Sequence, residues 1–82
     1  MYYVYLLVSE KNNKSYVGFT HKSVDERLIE HNSGTNSFTK ALRPWKLVYY
    51  EQFTCKDCAI AREKFFKTGV GKKLRKILVD NF

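Results

Sequence analysis

Acidic side chains are scarce in this chain of 82 residues: eight Asp and Glu stand against 15 Lys and Arg. A site assembled from several clustered carboxylates therefore has little to draw on. Cysteine is confined to Cys55 and Cys58, with no second pair, and His21 and His31 lack zinc-finger spacing, which argues against a closed four-ligand zinc site. No hydrophobic run approaches the ~20 residues of a membrane span, and no basic-then-apolar leader precedes a small-residue cleavage site. Repeats, low-complexity tracts and linkers are also missing. These absences lead us to expect one soluble, cytoplasmic domain over residues 1–82 with no membrane partner. Its size is near the lower limit at which a single core is stable without metal or disulfide support.

The surplus is in aromatic and basic residues. Six Tyr, six Phe and one Trp make up 16% of the chain, and each buries about 150–250 Å², enough for a small sheet-plus-helix core. A net charge of +7 on so small a body attracts polyanions. Lys40, Arg43 and Lys46 surround Pro44 and Trp45, and Lys72, Lys73, Arg75 and Lys76 cluster near the C-terminus. Both groups are candidate nucleic-acid contacts, the plain alternative being a solubilising surface.

Tyr3-Val4-Tyr5 and Tyr16-Val17-Gly18 lie in two β-prone runs, and the polar stretch Glu10 to Lys14 between them has the composition of a hairpin tip. Alternation puts Tyr3, Tyr5 and Leu7 on one face of the first strand and Tyr16 and Gly18 on one face of the second, so two phenols and a glycine can share a surface. Ser23-Val24-Asp25-Glu26 has the form of a capping box; a helix should follow to about His31 or Asn32 and stop at Gly34. Residues 33–43 read as a long loop, of the kind that is often functional. Trp45 to Phe53 is a third strand, with Leu47, Tyr49 and Phe53 on one side and Val48 and Tyr50 on the other, so helices are expected on both faces. Thr54 and Asp57 would cap a second helix running to about Thr68. Gly69-Val70-Gly71 would break it before a last helix carrying Leu74, Ile77 and Leu78 on one stripe. The expected fold is α/β (α+β): a small three-stranded antiparallel sheet flanked by helices, in the order β-β-α-β-α-α.

Glu63 is the residue most out of place. One turn away on its helix stand Ala59, Ile60 and Phe66, and an ionised carboxylate on such a stripe is costly unless a cation meets it. A salt bridge to Lys67, four residues on, is the ordinary explanation; a metal ion is the functional one. Arg27 and His31, also four apart, are neighbours on the first helix. A guanidinium there can hold a phosphate bidentately, and an imidazole can move protons near neutral pH. Cys55-x-x-Cys58 at a helix start supports a rival of another class, a thiol-disulfide module. Such a module carries its motif after the first strand, whereas here it follows the third.

Tyr3-Val4-Tyr5 and Tyr16-Val17-Gly18 resemble the two halves of the signature of the GIY-YIG nuclease superfamily. Arg27 and His31 fall where that family carries an arginine and often a histidine, and Glu63 falls at its metal-binding glutamate. The likeness spans roughly residues 2–78 and is closest to the small single-domain members, similar to the UvrC N-terminal type. Tyr3 replaces the first glycine of the motif, and no asparagine counterpart follows Glu63. The resemblance implies an endonuclease that hydrolyses phosphodiesters, with DNA the expected substrate and repair or recombination the expected context. It also implies that Tyr5, Tyr16, Arg27, His31 and Glu63 surround one Mg²⁺ or Mn²⁺. One phenol would be the base for the attacking water and the other its orienting partner, with Tyr5 favoured as the base; Gly18 would let a phosphate approach the backbone. With Asp25, Glu26 and Glu30 committed to a capped helix surface, one metal suits the chain better than two. A non-catalytic nucleic-acid-binding module on the same fold is the alternative. So small a surface leaves specificity to a homodimer or a protein partner.

Overall fold

β-branched and aromatic side chains fill the first strand, and they pair it on both sides. The computed structural model describes residues 1–35 and 37–81. Strands β1 (Tyr2–Ser9), β2 (Ser15–Thr20) and β3 (Trp45–Phe53) form one antiparallel sheet in the order β2-β1-β3, so β1 is central and β2 is an edge. Helix α1 (Val24–Ser33) follows the hairpin, α2 (Ser37–Lys40) is a single turn, and α3 (Lys56–Phe66) and α4 (Gly69–Asp80) complete the chain. The order β-β-α-β-α-α is thus present, with α2 inserted in the stretch expected as a loop; Asn36, within that stretch, lies outside the described residues. No described helix is long and apolar enough to cross a membrane.

Local chemistry fixes the ends of these elements. At the hairpin tip Asn12 Oδ1 accepts the Lys14 N–H at 3.0 Å, and Asn13 takes the left-handed conformation (φ 62°) that Asn tolerates. Ser23 caps α1, its hydroxyl accepting the Glu26 N–H at 3.2 Å, and Gly34 ends it at φ 82°. Helix α3 is capped by Cys55 rather than Thr54: the Cys55 thiol sulfur accepts the Cys58 N–H at 3.2 Å. The break after α3 falls at Lys67 and Thr68, and Gly69 and Gly71 lie inside the first turn of α4, which Thr68 caps.

The two faces of the sheet bury different things. On one, Tyr5, Leu7 and Trp45 pack with Tyr3, Tyr16 and Leu47 and with Val24 and Leu28 of α1. On the other, Val4, Leu6 and Val17 pack with Ala59 and Phe66 of α3 and with Leu74, Leu78 and Val79 of α4. Ile77, expected on the packed stripe of α4, is 57% exposed. The expected division of β3 also fails. Leu6 stands opposite Tyr49 and Leu7 opposite Leu47, so Val48 is the extra residue of a β-bulge. One inserted residue reverses the alternation. Leu47 therefore joins the α1 face, while Tyr49 and Phe53 join the α3 face.

Candidate active site

Antiparallel register places Tyr5 opposite Gly18 and Leu7 opposite Tyr16, on the face covered by α1. From above, α1 supplies Arg27 and His31 on one helical face. The result is a buried polar cluster inside an aromatic shell. Tyr5 is 1% exposed and His31 and Thr39 are fully buried. The rings of Tyr5 and Tyr16 lie 6.4 Å apart, and Tyr16 meets the His31 ring edge-on at 5.1 Å and Trp45 at 6.0 Å.

A hydrogen-bonded chain threads this cluster. His31 Nε2 is 2.9 Å from the Tyr5 hydroxyl, and Nδ1 is 2.8 Å from Thr39 Oγ1. Arg27 Nη2 lies 3.4 Å from the Tyr5 oxygen and 3.5 Å from His31 Nε2. A guanidinium only donates, so it faces the lone pair of Nε2. The Tyr5 O–H accordingly donates to Nε2, and Nδ1–H donates to Thr39. Burial, and then the charge of Arg27, hold the His31 imidazole below its ordinary pKa. It is neutral at pH 7 and able to accept a proton.

Burial also pushes both phenols above their ordinary pKa, in Tyr5 against the hydrogen bond and charge of Arg27, and in Tyr16 against that charge alone. Neither is an ionised base at rest. The guanidinium beside Tyr5 does not overcome the desolvation of the phenolate.

Arg27 itself is anchored and yet incomplete. Its Nη1 donates to Glu30 at 2.6 Å, and Glu30 also accepts from Lys22 at 2.7 Å. Those two cations hold the Glu30 carboxyl below its usual range. Arg27 Nε, however, is buried with no hydrogen-bond partner among the described residues. A buried donor left unmet is a loss that an oxyanion ligand would recover.

Glu63 stands on the sheet-facing stripe of α3, between Ala59 and Phe66. Its charge reaches both phenols and contributes to raising them. Among the described residues it makes one ion pair, to Lys67 at 3.8 Å, and its side chain keeps 23% of its surface exposed. No three His, Cys, Asp or Glu side chains converge among the described residues. A single half-buried carboxylate fits a hard divalent cation that retains most of its water and takes its remaining ligands from a substrate, as Mg²⁺ does. It does not suit a caged ion.

The structure thus draws Tyr5, Tyr16, Arg27 and His31 together, with Glu63 in electrostatic reach of both phenols. It gives two other candidates different work. Gly18 does not make room for a phosphate: a Cβ there would collide with the Tyr5 phenol, which occupies that space. Arg75 is spent largely inside the protein, donating to Ser15 O at 2.9 Å, Ser15 Oγ at 2.7 Å and Phe66 O at 3.5 Å. Lys72, Lys73 and Lys76 are exposed on α4. Lys40 and Arg43 are exposed beside Gly34, at the C-terminal end of α1 where a cation suits the helix dipole. Cys55 and Cys58 are exposed free thiols. The hydrogen bond between them lowers the Cys55 pKa and raises that of Cys58. Thr39 and Lys22 were not singled out by the sequence, and Glu30 only as part of the surface of the first helix. The Arg27–Glu30 spacing is a legible i,i+3 signal, whereas nothing local marks Thr39 as the partner of His31.

The model of the GIY-YIG catalytic domain matches residues 1–76. The chain is 37% identical over 80 residues to a UPF0213 protein of Staphylococcus saprophyticus, covering 96% of this chain and 95% of that one. It is 43% identical over 68 residues to a UPF0213 protein of Staphylococcus haemolyticus, covering 82% and 80%. The UPF0213 protein YazA of Bacillus subtilis is 34% identical over 70 residues, covering 84% and 70%. No solved structure matches the chain.

Proposed function

The chain belongs to the GIY-YIG catalytic domain family, a nuclease family, and on that premise we propose that it is a metal-dependent endonuclease hydrolysing phosphodiester bonds in DNA at a one-metal site. The observation that carries the proposal is the buried Tyr5–His31–Thr39 chain beside an arginine with an unmet N–H. A merely structural tyrosine needs one partner for its hydroxyl. Here the phenol has an acceptor for its proton, that acceptor is kept neutral, and its far nitrogen is held in one tautomer.

The roles follow from these atoms. Arg27 turns its Nε and Nη groups to the non-bridging oxygens of a phosphate, which meets the orphaned donor and uncovers the Tyr5 hydroxyl. Tyr5 then takes a proton from the attacking water while passing its own to His31 Nε2, so a raised phenol pKa is no obstacle: no free phenolate forms. Thr39 keeps Nδ1 protonated and the imidazole fixed during the transfer. Tyr16, the less buried phenol, orients the incoming group. Glu63 would hold the Mg²⁺, which when bound stabilises charge on the phosphoryl and leaving oxygens. Positioned acid–base groups of this kind contribute about 10²–10⁴-fold.

A DNA-nicking assay tests the proposal. Cleavage should appear with Mg²⁺ and vanish with EDTA, and Tyr5→Phe should lower it by about 10²-fold or more. Binding without any Mg²⁺-dependent cleavage would identify a non-catalytic binding module instead.

A further inference from the structure

We propose that the groove between the hairpin tip and α4 is a second nucleic-acid subsite, one that grips the phosphodiester backbone behind the edge strand whose other face carries Tyr16. It rests on the nuclease reading above and names a part of the substrate footprint that the catalytic cluster does not contain.

A groove of about 620 Å³ runs there, with Lys14 from the tip and Lys72 and Lys76 from α4 along it. Arg75 and Ser15 also line it, and Asp80 is the one acid among the described residues that do. Four cations against one carboxylate leave a net charge of +3. None of these cations has an ion-pair partner among the described residues, whereas Lys22, Arg27, Arg62 and Lys67 all do.

Two features show that this charge is held in place at a cost to the unbound protein. The first is Arg75. Its guanidinium is partly desolvated, which lowers its pKa, yet every partner is neutral: the carbonyl and hydroxyl of Ser15 and the carbonyl of Phe66. Neutral acceptors fix the fork without cancelling its charge, so its field extends into the groove. The second is the charge order of α4. Its first turn holds no acid and its last turn no base, while Lys72, Lys73, Arg75 and Lys76 crowd its first two turns and Asp80 sits at its end. Both signs oppose the helix dipole, and Lys72 and Lys76 are a like-charged i,i+4 pair. A polyanion in the groove relieves both penalties; a small neutral ligand relieves neither.

Position links the groove to chemistry. Ser15, on the groove, immediately precedes Tyr16, whose ring points to the opposite face among Tyr5, His31 and Trp45. Because β2 is the sheet edge, a backbone crossing it touches the cluster on one side and the groove on the other.

The test reads DNA binding in EDTA, where no cleavage intervenes. The variant Lys72→Gln/Lys76→Gln is compared with Lys56→Gln/Lys64→Gln, which removes equal charge from α3, and Lys14→Gln provides an independent probe from the hairpin tip. The groove pair should bind more weakly at low salt and flatten the slope of log K against log salt by about one unit per lysine. Lys14→Gln should flatten it similarly, and the α3 pair should leave it unchanged. Equal slopes for groove and control pairs would overturn the subsite, because binding would then follow net charge alone. Preferential capture by anionic phospholipid vesicles over DNA, lost in the groove pair, would overturn it in favour of a membrane surface. Absence of Mg²⁺-dependent cleavage by the wild type would sink the nuclease proposal alone, since the slopes are measured without it.

Discussion

Alternate residues of β1 build two unlike cores a few ångströms apart. Val4 and Leu6 point to α3 and α4 and pack in an apolar cluster with Ala59 and Phe66, whereas Tyr5 points to α1 and meets Gly18, Arg27 and His31. The same division separates two arginines. Arg62 gives Glu51 two hydrogen bonds, at 2.8 and 3.0 Å, and stacks on Phe65 and Phe66. Arg27 shares one carboxylate with Lys22 and leaves Nε unmet. Arg62 is matched by a carboxylate of its own, whereas Arg27 keeps a buried donor unmet among the described residues. In so small a fold the apolar face carries the stability, and the polar face can therefore keep groups that protein partners do not fully satisfy.

The largest expected effect that tests this division is on catalysis. Glu63→Gln keeps the side-chain shape and removes the charge, so cleavage should fall by orders of magnitude as the ion loses its protein ligand. The melting temperature should hardly move or should rise, because the pair with Lys67 spans 3.8 Å at a largely exposed lysine. A variant that melts lower and still cleaves normally would make Glu63 a structural residue. Within the apolar core the opposite pattern is expected. Leu6→Ala should cost about 2–5 kcal/mol in chemical denaturation, with cleavage per folded molecule preserved.

Gly18→Ala perturbs the polar face directly. Its Cβ would meet the Tyr5 ring and hydroxyl, so the phenol must swing away from His31. An overpacking cost of about 1–3 kcal/mol is expected, together with a loss of cleavage approaching that of Tyr5→Phe. If cleavage persists while stability falls, the Tyr5–His31 bond is not needed for the reaction.

Locally encoded features were the legible ones. Ser23 and Gly34 announce the ends of α1, the Asn-rich tip announces the hairpin, and period-two alternation brings Tyr5, Tyr16 and Gly18 to one face. The bulge at Val48 was not legible, because it exists only through the pairing of β3 with β1. Neither was the role of Gly18, which depends on where the partner strand sends a phenol. Thr39 reaches His31 because Trp45 fixes the loop: its indole N–H donates to Thr39 O at 2.8 Å, and Asn32 grips its backbone N–H and C=O at 2.5 and 3.0 Å. Arg75 read as a surface cation because its bond to Ser15 spans sixty positions of sequence. Charge patterning finds basic residues; it does not distinguish a cation committed to the fold from one left for a partner.

The smallest expected effect is on the pH dependence of stability, and it isolates the polar face. Folding lowers the pKa of His31 below the ordinary 6.5, chiefly through burial, with the Arg27 charge adding to it and Glu30 opposing it. Between the folded and unfolded values the unfolded chain binds more protons than the native one, so stability rises with pH. The contribution of His31 is complete above about pH 6.5 and is lost as pH falls toward its folded pKa, with a slope of at most about 1.4 kcal/mol per pH unit. His31→Gln can still bridge Tyr5 and Thr39 but does not titrate. Denaturation midpoints of wild type and His31→Gln should therefore diverge as pH is lowered from 7.5 toward 5, the wild type losing stability faster. Cleavage by the wild type should decline over the same range, because a protonated Nε2 cannot receive the Tyr5 proton. Parallel midpoint curves for the two proteins would mean that the imidazole is not buried in its neutral form, and the proton path from Tyr5 would have no acceptor.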